Sequence, residues 1–216
     1  MIVPQDALHE IATWGVPVIV GLALGIAVAW AAARLARPFP SDWLAVIVLL
    51  EALLVLWTAS RGEPFWTMAA SIALSACLLT LGAVDVASLR LPNLLTVPLA
   101  LLGLATAVQE RTGLLGHVAG AVVGWMVIAA LAHGFRRLRG RDGIGMGDAK
   151  LLAAAGAWCG WRALPSTLLL ACILAFAWLG LRLLRPGRSN PLREPLPFGA
   201  PLAVAFWVIR LYGAPV

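Results

Sequence analysis

Asp85, in LGAVDVASLRLPNLLT, and Asp148, in GIGMGDAKLL, are carboxylates set at the edges of apolar runs. A charge there is costly and usually functional. Two carboxylates brought close cannot both ionise, so one keeps a proton. The ionised member can then take a proton from water while the other donates to a carbonyl oxygen. Such a pair hydrolyses a peptide bond with no metal and no covalent intermediate, and it titrates as a unit. The two residues lie 63 positions apart, so helix packing has to unite them.

The neighbouring residues suit that chemistry. Gly145 and Gly147 remove side chains beside Asp148 and permit backbone angles closed to other residues, which lets an extended peptide approach. Asp148 opens a helix, whose terminal N–H groups favour negative charge. Lys150 either offsets nearby charge or snorkels at the membrane boundary. Pro92 stops the helix that carries Asp85, and Asn93 caps the next one. Each feature also has a purely structural reading. A GxGD stretch is cap-and-turn chemistry, Asp85 is a helix-end partner of Arg90, and Asp142 is a solvated loop charge. Glu51, inside VLLEALLVLW, pairs within the helix bundle, and His117 and His133 pack or mark boundaries.

The elements that must position these groups are membrane helices. Of the 216 residues, 62% are hydrophobic and 12% are charged, more apolar surface than a soluble domain of this length can hide. Eight apolar segments are legible: Trp14–Ala33, Trp43–Ala59, Phe65–Asp85, Leu94–Val108, Leu114–His133, Asp148–Cys159, Ala163–Leu184 and Phe198–Leu211. In lipid the backbone must satisfy its own hydrogen bonds, so the fold class is all-α, a polytopic helix bundle. The fourth, sixth and eighth segments are shorter than the roughly 20 residues a full span needs.

If all eight cross, one side collects 12 of the 16 basic residues and the other collects 4. The positive-inside rule makes the rich side cytoplasmic and puts both termini outside. Asp85 and Asp148 then fall at the same, cytoplasmic, boundary. The net charge of +6 is spread over short loops as a topology signal, which excludes a nucleic-acid partner. Cys77, Cys159 and Cys172 form no CxxC pair, so neither a zinc site nor a disulfide framework is expected. The first segment follows Asp6 and Glu10 instead of a basic start, and reads as a retained span, not a signal peptide. Ten tryptophans fit interfacial anchoring.

Three stretches, in order, carry a resemblance to a known family. DVASLRLPNLLT resembles a first-aspartate motif, GMGDAKLL resembles a GxGDxK motif, and LPFGAPLAVA resembles a PFGPxLA segment, with Ala200 where that pattern often has proline. The chain resembles the type IV prepilin peptidases, GxGD aspartic proteases of the membrane, over about Phe65 to Leu211. The resemblance implies a catalytic pair at Asp85 and Asp148. It also implies supporting or substrate-binding roles for Gly145, Gly147, Lys150, Pro92, Asn93, Pro197, Phe198 and Gly199, and no metal or other cofactor. The implied substrates are prepilins or pseudopilins, cut at the cytoplasmic face of the bacterial inner membrane. Lipid and a pilus or secretion assembly are the further partners.

Bifunctional members of that family carry a cytoplasmic domain between their first two spans, often with zinc-binding cysteine pairs, and methylate the new N-terminus. Here the same connection is ARLARPFPSD, so methylation is not expected. Residues 1–64 then form two helices with a short cytoplasmic loop, and residues 65–216 form a six-helix peptidase core. The competing readings are a small proton-coupled transporter or channel using the intramembrane acids, and an inactive scaffold.

Overall fold

The computed structural model describes residues 16–36, 39–140, 145–184 and 195–213. Among them are eight α-helices and no strand: α1 Val16–Leu35, α2 Asp42–Ser60, α3 Phe65–Ser88, α4 Asn93–Gln109, α5 Leu114–Arg139, α6 Met146–Cys159, α7 Leu164–Leu183 and α8 Gly199–Tyr212. The protein is therefore all-helical, and it is a multi-pass membrane protein. Five helices (α1, α2, α3, α5 and α7, the last with the short 3₁₀ turn Trp161–Ala163 before it) are long and apolar enough to cross a bilayer. At 17, 14 and 14 residues, α4, α6 and α8 reach only about 21–26 Å against roughly 30 Å of hydrocarbon.

Breakers end the helices at or near the expected places, with two extensions. The α3 helix continues to Ser88, so Asp85 lies in its last turn and does not end it. The α5 helix runs past His133 to Arg139, because FRRLR contains good helix formers and the stop comes only at Gly140, with a φ of 67°. Trp14, Asp6, Glu10, Asp142, Gly143, Arg37, Arg141, Arg185, Arg188 and Arg193 lie outside the described residues, and with them part of the topology count.

The chain divides into two compact units, Met1–Thr80 and Leu81–Val216, with the division inside α3. In the first, α1 and α2 pack backbone to backbone. A Cβ at Gly21 would lie 2.7 Å from the Ala52 Cα, and one at Gly25 equally close to the Val48 Cα and O. Small residues four apart allow this close approach, the usual means by which helices associate in lipid. Glu51 of α2 is fully buried, and its Oε1 accepts from Ser75 Oγ of α3 at 2.9 Å. This matches the structural reading of Glu51. Glu51→Gln preserves an oxygen acceptor of the same shape and should change unfolding free energy in detergent by less than about 1 kcal/mol. Glu51→Ala also opens a cavity and should cost roughly 2–4 kcal/mol. Thermal unfolding of the solubilised protein measures both.

In the second unit α5 packs on α6, and α6 packs on α4 and α8. The α4, α6 and α8 helices run parallel, tied at both ends. At one end Lys150 Nζ of α6 donates to Asn93 Oδ1 of α4 at 2.6 Å. Towards the other, Trp158 Nε1 of α6 donates to the Leu99 carbonyl of α4 at 2.8 Å, and Arg210 of α8 meets Glu110 after α4 at 2.8 Å. The Arg210 guanidinium also stacks over the Trp158 ring at 5.7 Å. His117 sits at the helix boundary, in keeping with its reading as a packing or boundary residue. Its Nδ1 contacts the Ala157 carbonyl and its Nε2 the Thr112 hydroxyl, each at 3.0 Å, joining the start of α5 to the end of α6.

Candidate active site

Three short parallel helices present their N-termini at one end of the second unit. A helix N-terminus carries unpaired N–H groups and about half a positive charge, so three together make a setting that tolerates carboxylates. The last turn of α3 brings Asp85 to this end, and the first turn of α6 brings Asp148.

Asp85 is buried, and its Oδ2 accepts a hydrogen bond from the Ala200 backbone N–H at 3.0 Å. Ala200 is the second residue of α8, so its N–H is one of the donors left without an intrahelical partner. The carboxyl reaches that donor only because residue 199 is glycine: a Cβ there would lie 2.8 Å from both Cγ and Oδ2 of Asp85. Proline at 201 fits the first turn, where its missing N–H costs nothing. Asp85 thus meets α8, not Arg90.

After α3 the chain reverses at Leu89, whose φ of 54° is left-handed and unusual for a non-glycine residue. The Leu89 N–H closes on the Asp85 carbonyl at 2.7 Å. The turn aims the next apolar side chain, Leu91, between α6 and α8. A Cβ on Gly147 would lie 2.9 Å from the Leu91 Cβ, and one on Gly199 would lie 3.0 Å from its Cδ1. Leu91 is therefore the wedge that fixes the spacing of the two aspartate-bearing segments. Pro92 follows as the N-cap position of α4, in extended conformation.

Asp148 is the third residue of α6, after Gly145 in the N-cap position, and its N–H donates to the Gly145 carbonyl at 3.1 Å. It is half-buried and near enough to Asp85 for the two charges to interact. The pair separated by 63 positions in sequence is thus brought together.

Several local expectations are corrected. Asp148 is not the capping residue, since no side chain caps α6 and the cap position belongs to Gly145. Asn93 does not cap α4. It is the first helical residue, and its side chain is taken by Lys150, which gives that lysine a specific partner. The backbone freedom expected of Gly145 and Gly147 is not used. Gly145 has φ −72° and ψ 129°, open to any residue, and Gly147 is helical, serving by its lack of bulk against Leu91. Pro197 is buried, and Phe198 holds the cap position of α8, its carbonyl accepting from the Leu202 N–H at 3.1 Å. Sequence reasoning missed Leu91 and the Ala200 N–H. Leu91 lies within the DVASLRLPN stretch, whereas a backbone donor leaves no compositional trace.

Residues 72–180 match the model of the type IV leader peptidase family. A prepilin leader peptidase/N-methyltransferase of Aeromonas hydrophila is 41% identical over 170 residues, which is 78% of this chain and 58% of the relative. Its namesake in Pseudomonas aeruginosa is 33% identical over 222 residues, covering 99% of this chain and 73% of the relative. That of Burkholderia pseudomallei is 41% identical over 147 residues, 68% of this chain and 47% of the relative. The chain thus spans less than two thirds of the length of the Aeromonas protein. No solved structure matches it. With a family model over half the chain and a relative aligned along nearly all of it, this protein belongs to the type IV leader peptidase family.

Proposed function

We propose that this protein is a membrane aspartic endopeptidase that removes the N-terminal leader of prepilins or pseudopilins, with Asp85 and Asp148 as the catalytic pair. Family membership supports the reaction class. The observation that supports the residue assignment is that Asp148, in the first turn of α6, lies within charge-interaction range of Asp85, which accepts from the first turn of α8. In this reading a water molecule sits between them. The ionised carboxylate takes a proton from that water as its oxygen attacks the scissile carbonyl carbon. The protonated carboxyl donates to the carbonyl oxygen, and a proton returns to the leaving amine as the C–N bond breaks. Peptide and water become a carboxylate and an amine, with no redox partner needed. Gly145, with Gly147 and Lys150 nearby, borders the approach to Asp148, while Pro92, Asn93, Pro197, Phe198 and Gly199 shape the turns that hold Asp85.

The same reading places the protein in the bacterial inner membrane with eight crossings and both termini outside. Residues 65–216 form the peptidase core, and cleavage occurs at the cytoplasmic face. A prepilin presents a basic leader followed by an apolar helix lying in the bilayer, so its scissile bond reaches the boundary where both acids lie. Contact with a pilus or secretion assembly follows from the substrate class. The second activity in the relatives' name is not part of this proposal: the connection between α1 and α2 is short, and the chain has no cysteine pair.

Co-expression with an epitope-tagged prepilin in a host lacking its own leader peptidase tests this. The expected result is a shortened, leaderless product beginning with an unmodified amine. An uncut prepilin would sink the peptidase reading, and a methyl group added to the new terminus by this protein alone would sink the monofunctional one.

A further inference from the structure

We propose that the two aspartates are made unequal by the first turn of α8: the Ala200 backbone N–H holds Asp85 as the ionised general base and leaves the shared proton on Asp148. The assignment rests on the peptidase reading above and adds to it the identity of base and acid.

Both carboxyls lie in or against a helix N-terminus, so the dipole favours each to a similar degree. Their direct partners differ. Asp85 Oδ2 accepts from a rigid backbone donor at 3.0 Å, and the absence of a side chain at Gly199 lets it seat there. Among the described residues no hydrogen-bond donor reaches the Asp148 carboxyl. A hydrogen bond donated to a carboxylate favours its charged form and is stronger than the same bond to the neutral acid. Burial disfavours the charged form of both carboxyls, and the fixed donor offsets part of that penalty at Asp85. Among the described residues, Asp148 on α6 is the titratable group interacting with Asp85. The turn after α3 presents only the apolar Leu91, and α8 presents backbone N–H groups.

Proline has no N–H to give, so Ala200→Pro removes the donor, and it is a substitution that a first helical turn accepts.

The test is the pH dependence of kcat/KM for leader cleavage by full-length protein in detergent or vesicles. Asp85 must be ionised to act, so loss of the donor makes ionisation harder and moves the acid limb upward. The expected shift of the acid limb for Ala200→Pro is roughly one pH unit, and Ala200→Gly, which keeps the N–H and adds no side-chain donor, should leave the acid limb at its wild-type position. An unmoved acid limb, or a shifted basic limb, overturns the proposal. Should the proline variant fail to insert, selective labelling of the wild type decides. An epoxide alkylates the ionised carboxyl and a diazo ketone esterifies the protonated one, so peptide mapping should find the first label on Asp85 and the second on Asp148. The reverse pattern overturns the assignment. Absence of any wild-type cleavage is a separate outcome that removes the peptidase reading itself.

Discussion

Asp85→Asn and Asp148→Asn are each expected to lower leader cleavage about a thousand-fold or more, while the protein still inserts and keeps its thermal stability. The two halves of that expectation have different physical origins. Asparagine has the size of aspartate and retains an oxygen that can accept the Ala200 N–H, so the packing of Asp85 against Gly199 and Leu91 is preserved. It can neither take a proton from water at neutral pH nor carry the exchangeable proton of an acid. General acid–base steps contribute typically 10²–10⁴-fold each, and here both run through one pair, so losing either member disables both. Residues that act as a unit are strongly non-additive, and the double variant should be hardly slower than either single one. Quantitative immunoblotting of precursor and product over time, with membrane abundance as control, measures the effect. If either asparagine variant works within tenfold of wild type, the pair is not the catalytic centre.

Much of this arrangement was legible beforehand, because lipid enforces simple rules. Eight apolar runs became eight described helices, since proline, glycine and charged clusters leave a membrane chain few other places to turn. The sequence also singles out Asp85 and Asp148 as costly carboxyls at the ends of apolar runs, each with a structural reading beside the functional one, and the structure brings them within reach of each other's charge. What stayed hidden was set by partners distant in sequence. Asn93 has the residue type and position of a helix cap, yet Lys150, 57 residues on, claims its side chain. His117 reads from the sequence as a packing or boundary residue, and the backbone carbonyl it contacts lies 40 residues away. Leu91 is one leucine among many, and its role as a wedge follows only from the left-handed turn at Leu89 and the bare surfaces of Gly147 and Gly199. The apolar run Leu114–His133 does not mark the end of α5, because helix propensity carries on through FRRLR until Gly140 stops it.

The largest effect on folding is expected from Gly156→Val, at more than about 3 kcal/mol, the upper end of what overpacking usually costs. Here α5 and α6 touch through their backbones. A Cβ on Gly156 would run into the Gly120 carbonyl and come within 2.9 Å of the Ala121 nitrogen, and one on Gly124 would lie 2.6 Å from the Leu152 carbonyl. No flexible side chain is present to give way, so a branched residue must push the helices apart and strip a whole face of close contacts, in a medium where packing is the chief force between helices. Gly134 and Gly180, also helical, have open space where a Cβ would go, and alanine at either should be neutral or stabilising by up to about 1 kcal/mol. That contrast separates the packing argument from a general effect of helix propensity. The damage should extend to chemistry, because α6 bears Asp148 two turns before Gly156, and displacing it draws one carboxyl away from the other. Thermal unfolding in detergent, set beside cleavage per folded molecule, measures both losses. A Gly156→Val protein as stable as the Gly134→Ala control would mean that α5 and α6 are not held backbone to backbone, and that the placement of Asp148 must come from another contact.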